Sequence, residues 1–416
     1  MPRLPASLEV LRERDYRLLF TGQAVSLLGD GMFNVALAFA VLHLGGSATQ
    51  VGLVFAARMV PMVACLLAGG VVADRLPRRA VMVAADVARL ASQGAMAALL
   101  IASAAEIWTL AVLAGVTGAA TGFFNPASTG LLPAVVAAER LQQANALRGL
   151  SMAAGQIAGP ILAGVLVAVA GAGWALAVDA ASFGVSAAFL VGLRLPPRAS
   201  RAATSFLVDL REGWDTFRER TWLWTFVASA AVGNVLFASW NVLGPVVAER
   251  DLGGAAAWGV IVGAMGAGSI AGGLAALHAR PRRPLLVATL AVAVFSLPLA
   301  GLALALPAPA IAAAALVSGG GLMLSNTVWE STLQRHIPAA ALSRVSAYDW
   351  FGSMAFQPLG LALWGPVAGA IGIAPALWVA FVLQVASVLA LLAVPDIRRL
   401  APFPQAAPAD LAAATR

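Results

Sequence analysis

"GGVVADRLPRRAVMV", residues 69–83, sets one acid and three arginines (Asp74, Arg75, Arg78 and Arg79) between two long apolar runs. The chain around it is 416 residues long, 61% hydrophobic and 11% charged. A soluble domain is roughly a quarter charged. So little charge cannot cover so much apolar surface in water. A bilayer is the solvent that fits, because a spanning helix takes about 20 mostly apolar residues. The charged stretch 74–79 then reads as a short loop outside the hydrocarbon, and the runs on either side of it as spans.

Outward from that loop, twelve apolar runs follow the same rhythm, at 16–43, 50–73, 80–104, 107–129, 145–170, 174–194, 221–248, 255–278, 285–306, 309–333, 346–370 and 373–394. The arginines orient them. Arg3, Arg12, Arg14 and Arg17 precede the first run; Arg75, Arg78 and Arg79 follow the second, and Arg140 the fourth. The long break after the sixth carries Arg194, Arg198, Arg201, Arg211, Arg218 and Arg220. Arg280, Arg282 and Arg283 follow the eighth run, Arg335 and Arg344 the tenth, and Arg398 and Arg399 the twelfth. The alternate loops offer only Arg250, beside Glu249 and Asp251. Basic residues accumulate on the cytoplasmic side, so the expectation is a multi-pass protein of the inner (plasma) membrane with both termini cytoplasmic.

The long break contains "SFLVDLREGWDTFRER". Phe206, Leu210, Trp214 and Phe217 recur at helical spacing with charges on the other faces, the pattern of an interfacial amphipathic helix. The expected organisation is a six-helix bundle over 1–195, an amphipathic cytoplasmic linker over 196–220, a second six-helix bundle over 221–397 and a cytoplasmic tail over 398–416. The two halves echo one another. "LGGSATQVGLV" (44–54) returns as "LGGAAAWGVIV" (252–262), each between the first two spans of its half. "ANALRGLSMAAGQ" and "VSAYDWFGSMAFQ" share their polar texture. Parallel repeats of six spans fit a transporter that rocks one half against the other around a central site.

Composition removes several function classes. All 26 basic residues are arginine. A P-loop needs a lysine on the nucleotide phosphates, and a retinal-type Schiff base needs a lysine amine; an ATP-driven pump and a rhodopsin are therefore excluded. The one cysteine, Cys65, permits no intramolecular disulfide, and His43, His278 and His336 have no ligand spacing. No metal, cofactor or enzymatic activity is expected.

"GVVADRLPRR" (70–79) resembles the loop 2–3 signature of the major facilitator superfamily, G-x-x-x-D-R-x-G-R-R, with Gly70, Asp74, Arg75, Arg78 and Arg79 on its fixed positions and Pro77 in place of a glycine. The resemblance implies a cytoplasmic gate that latches the halves when the transporter faces outward. The equivalent in the second half, "GGLAALHARPRRP", keeps Arg280, Arg282 and Arg283 but has no acid. In the fifth run, "GQIAGPILAG" (155–164) is similar to the antiporter motif of the superfamily's drug exporters, with Gly155, Gly159, Pro160 and Gly164 matching. Small residues at this spacing also serve any close helix contact. The likeness extends from about Tyr16 to Arg399. "TGQAVSLLGDGMFNVAL", "GFFNPASTGLLP" and "VDAASFGVSA" look like the branch that holds macrolide exporters and the enterobactin exporter. The fourth run departs from many proton-coupled members, since it carries no arginine. The implied fold is all-α: twelve transmembrane helices in two pseudo-symmetric six-helix bundles. The implied activity is export of a hydrophobic or amphipathic small molecule, drug-like or antibiotic-like, in exchange for protons. The partners are a small-molecule substrate, protons and the lipid bilayer, with no nucleic acid, for a chain acting as a monomer. A siderophore or other endogenous metabolite is the rival cargo; a non-transporting receptor or scaffold is the rival class.

An acid deep in a span marks function by default. Asp30 lies half-way through the first run and Arg58 a third of the way through the second. Proton coupling is assigned to these two, with a permanent structural ion pair between them as the alternative. Asn34 follows Asp30 by one turn. Asp86 and Arg89 read as braces for the charged loop; Asp179 and Glu330 are left ambiguous. Phe33, Asn34, Gln156, Asn234, Trp240, Asn241, Asn326, Phe356 and Gln357 are the expected cavity residues, polar or aromatic positions in otherwise apolar spans.

Overall fold

The computed structural model describes residues 6–194, 214–215, 217–279 and 281–400, and among these the regular structure is helical, without strands. Twelve helices are long and apolar enough to cross a membrane. In chain order they are span 1 (Arg14–His43), span 2 (Ala48–Arg75), span 3 (Arg78–Ile101), span 4 (Ile107–Val135), span 5 (Leu141–Ala170) and span 6 (Ala172–Val191). Span 7 (Thr221–Val247), span 8 (Gly254–His278), span 9 (Pro284–Ala303), span 10 (Ala308–His336), span 11 (Tyr348–Ile371) and span 12 (Ile373–Ala393) complete the set. The chain is a multi-pass membrane protein of two six-helix bundles. Most of the expected linker (196–213 and 216), with its Phe206 and Leu210, lies outside the described residues, as does most of the expected tail (401–416).

Local chemistry sets the helix ends. Ser47 and Gln50 form a reciprocal capping box at the start of span 2, with the Ser47 backbone N–H donating to Gln50 Oε1 at 2.8 Å. Span 9 tightens to a 3-10 turn over Val294–Ser296 just before Pro298, where proline withholds a helix hydrogen bond. Span 11 is interrupted at Ala355 and Phe356, before Pro358, for the same reason.

The repeat is written into the turns. Left-handed or positive-φ residues recur at matching positions roughly 200 residues apart: Gly45 (φ 79°) with Gly253 (φ 93°), Ser103 (54°) with Ala305 (50°), and Gly171 (93°) with Gly372 (92°). Ser103 and Ala305 close the same Schellman-type turn. Ala104 N–H donates to the Leu99 carbonyl at 2.9 Å, and Leu306 N–H to the Gly301 carbonyl at 3.0 Å. Two halves that share their turn hydrogen bonds share a fold.

The close approaches found between the halves belong to the arginine-poor ends and the middle of the spans. A Cβ on Gly52 would strike the Leu361 carbonyl, and one on Gly365 would lie 2.5 Å from the Thr49 nitrogen, so spans 2 and 11 meet backbone to backbone. His43 Nε2 lies 3.5 Å from Glu249 across the same end. At the arginine-rich end two ties hold span 6 within the first half. Arg14 donates to the Gly192 carbonyl at 3.1 Å and Arg79 to the Leu193 carbonyl at 2.7 Å. Both guanidiniums cap the C-terminus of span 6, where cations are favoured.

Candidate functional site

Two cavities lie between and beside the halves. The first, about 440 Å³, is lined by Asp30, Asn34, Gln156 and Pro160 from the first half and by Trp240, Asn241 and Trp258 from the second. The second, about 580 Å³, lies among spans 7, 9, 10, 11 and 12, with Asn234, Asn326, Glu330, Asp349 and Gln384 on its wall. Leu322 borders both. Trp240 and Trp258 pack with ring centroids 4.5 Å apart and planes tilted by 44°, and give the first cavity an aromatic wall. Trp329 donates to Asp349 Oδ2 at 3.0 Å and lies face to face with Phe226 at 4.1 Å. Asn234 donates to the Ser353 carbonyl at 2.9 Å.

The expected cavity residues divide. Asn34, Gln156, Trp240 and Asn241 line the first cavity; Asn234 and Asn326 line the second. Phe33 does not reach either. It is fully buried, and its ring lies 4.4 Å beneath the Arg58 guanidinium. Phe356 and Gln357, at the break in span 11, line neither cavity.

The span 5 glycines make one helix fit two partners. A Cβ on Gly155 would sit 2.5 Å from the Leu27 carbonyl, and one on Gly159 2.6 Å from Gly31, so this face closes on span 1. On the other face, a Cβ on Gly164 would sit 2.5 Å from the Ala255 carbonyl, and one on Gly259 would strike the Pro160 carbonyl. Pro160 cannot donate to the Gln156 carbonyl four residues back, and that carbonyl lies against Gly266 of span 8, where a Cβ would be 2.7 Å away. Small residues thus let span 5 touch its own bundle and the opposite one without intervening side chains.

The charged centre differs from the expected pair. Arg58 donates to Asn34 Oδ1 at 2.9 Å, while the ion-pair partner of Asp30 is Arg89 of span 3, at 3.8 Å. Asp86 and Arg89 form a close ion pair, and both are buried; they are not braces for the charged loop but the middle of the bundle. The Arg89 guanidinium is held between the rings of Phe124 (4.1 Å) and Phe183 (4.2 Å), so both of its faces are occupied by cation–π contacts. Asp179 of span 6 is also buried, against Gly29, the chain neighbour of Asp30. The signal for this centre was present as spacing. Asp86, Arg89 and Gln93 fall at i, i+3 and i+7 of span 3, and Asp179, Ser182 and Ser186 at i, i+3 and i+7 of span 6, two polar stripes that face one another where the spans pack.

Of the charged-loop residues, Gly70, Asp74 and Arg75 have side chains outside the described set, Arg78 is half-buried, and Arg79 is tied to span 6 as above.

Residues 19–358 match the Major Facilitator Superfamily. The chain belongs to that superfamily. It is a membrane transporter, not an enzyme. It is 28% identical over 411 residues, 94% of each chain, to a protein named enterobactin exporter EntS from Shigella boydii serotype 18. It is 27% identical over the same span to the protein of that name from Escherichia coli O139:H28. The nucleoside transporter NupG superposes with a TM-score of 0.73 at 15% identity, covering 91% of this chain and 98% of that one. A peptide transporter, POT, in complex with sulfate superposes at 0.74 and 11% identity, covering 96% and 100%. At such identities these two speak for the fold alone.

Proposed function

We propose that the protein exports a neutral or cationic amphipathic small molecule across the plasma membrane by proton antiport, with the arginine-rich loops and both termini cytoplasmic. The carrying observation is the sign of the cavity walls: among the described residues, the charged side chains lining the two cavities, Asp30, Glu330 and Asp349, are all acids. A water-poor pocket with acidic and aromatic walls repels anions and accepts cations and polarisable rings. The backbone-to-backbone meeting of spans 2 and 11 at the arginine-poor end supports a state closed on that side, ready to load cargo from the cytoplasm. Proton entry drives export, each charge crossing being worth about 2.3 kcal/mol per 100 mV. Asp30, on the cavity wall, exchanges the proton, and Asp74 with its neighbouring arginines latches the cytoplasmic gate when the transporter faces outward.

A second reading is comparably supported: the cargo is a siderophore or another endogenous metabolite, favoured by the 28% identity to a relative named for enterobactin export. Purified protein in proteoliposomes separates the two. A fluorescent lipophilic cation is to be transported and competed by other hydrophobic cations. If enterobactin alone is moved and the cation is not, the second reading stands and the first is lost.

A further inference from the structure

We propose that spans 1, 2, 3 and 6 form a proton-binding site whose proton sits on Asp179, with Asp30 as its connection to the cavity. The inference rests on the proton-antiport reading and deepens it by moving the stored proton from the cavity wall to a residue behind it.

The charge inventory carries the argument. Three carboxylates (Asp30, Asp86 and Asp179) share this centre with two guanidiniums, Arg58 and Arg89. Of the elements packed on span 6, span 1 contributes Asp30 here, its other charges, Arg14, Asp15 and Arg17, lying in its first turn at the arginine-rich end. Span 3 contributes Asp86 and Arg89, with Arg78 and Arg79 at its first turn. Span 5 offers only Arg148, which lines a separate groove with Tyr16 and Gln23. Arg58 acts on Asp179 from span 2. With all five groups charged the centre carries one negative charge in excess, and Asp179 is its fully buried acid with no ion pair of its own among the described residues, a charge that burial disfavours. One proton balances it.

The geometry selects the carrier. Asp86 is held directly by Arg89. Asp30 is 31% exposed at its side chain, borders the cavity and lies 3.8 Å from the same guanidinium. Asp179 has no exposure, and its oxygens have no hydrogen-bonding neighbour other than Gln93 among the described residues. The Gln93 side chain stands beside it, and its Oε1 and Nε2 have no partner elsewhere among the described residues. A protonated carboxyl resolves both deficits: its O–H can donate to Gln93 Oε1 and its carbonyl oxygen can accept from Nε2. An ionised carboxylate accepts only and leaves Oε1 unsatisfied. Asp179 sits against Gly29, one residue from Asp30 along span 1, and the two carboxylates act on one another; a proton taken up by the Asp30 carboxylate from the cavity passes on to Asp179. Transfer leaves Asp30 ionised beside Arg89, and release reverses the two steps.

The test is infrared spectroscopy of the purified protein at neutral pH, which reports a protonated carboxylic acid by its C=O stretch and needs no substrate. The native protein is expected to show this band, Asp179→Asn to lose it, Asp179→Glu to shift it and Asp30→Asn to keep it. Because the amide imitates the neutral acid, Asp179→Asn is expected at native abundance while accumulation driven by a pH gradient is lost. The proposal is overturned by no band in the native protein, by a band that survives Asp179→Asn, by collapse of that variant's abundance, or by undiminished proton-driven transport in it. Failure of the amphipathic-cargo reading leaves the band untouched, so the two failures are told apart.

Discussion

Replacing Gly159 by alanine tests a backbone-to-backbone contact inside the first bundle. The added Cβ would lie 2.6 Å from both Cα and the carbonyl carbon of Gly31 and 2.9 Å from the Leu28 carbonyl oxygen. All three are backbone atoms, so no rotamer change relieves the contact. Spans 1 and 5 must separate by roughly 1 Å, an overpacking that costs about 1–3 kcal/mol. Alanine recovers about 0.5–1 kcal/mol through its better helix propensity. The balance is destabilising by about 1–2 kcal/mol, a factor of roughly 5–30 in the folded ratio, and Gly159→Leu exceeds it. Gly94 of span 3 is the matched control, because a Cβ there meets nothing within 4 Å; Gly94→Ala keeps only the propensity gain. The assay is thermal melting of detergent-purified protein by size-exclusion chromatography, with membrane abundance measured alongside. Gly159→Ala is expected to melt lower than the native protein and Gly94→Ala at or above it. Equal melting of the two variants would refute the claim that the span 5 glycines exist for backbone contact.

Other substitutions probe other joints. Gly365→Ala pushes on Thr49 across the two halves, so it should shift the population away from the state closed at the arginine-poor end; labelling of a single cysteine in the first cavity from the extracytoplasmic side should speed up, and unchanged labelling would contradict this. Arg89→Gln leaves Asp86 buried without its cation, a loss of about 3–5 kcal/mol, to be read as collapse of membrane abundance; Arg58→Gln, which removes a hydrogen bond to Asn34, should lose far less. Asp30→Asn should abolish proton-driven accumulation while sparing exchange down a substrate gradient, measured in proteoliposomes with and without an imposed pH difference. Asp74→Asn should leave abundance intact and slow transport, and full transport at equal expression would remove Asp74 from the gate.

The fold was legible because its determinants are local. Apolar run length marks each span, and the turn pairs at Gly45 and Gly253 fall inside the repeat seen as "LGGSATQ" and "LGGAAAW". The span 5 motif was equally legible, since close helix contact needs glycine in any context. The charged centre was not, because it depends on which spans touch. Spans 1 and 2 are neighbours in sequence, which made Arg58 the natural partner for Asp30; packing brings Arg89 of span 3 within ion-pair distance of Asp30, and Arg58 donates to Asn34. Asp86 stands only a few residues from the charged loop in sequence, yet span 3 begins at Arg78, so Asp86 is already two turns inside the bundle. Phe33 adjoins Asn34 in sequence, but one residue is 100° of helix rotation, enough to turn its ring from the cavity to the Arg58 guanidinium.

The proposed coupling of proton entry through the first cavity to export of an amphipathic molecule can be put to a single measurement. It is tested most directly by uptake of a fluorescent lipophilic cation into inverted membrane vesicles carrying the protein, with the lumen made acidic. Proton-coupled export predicts accumulation that follows the pH difference, collapses on addition of a protonophore and is absent with Asp30→Asn at equal abundance. Accumulation of the same size with and without the pH difference would contradict it.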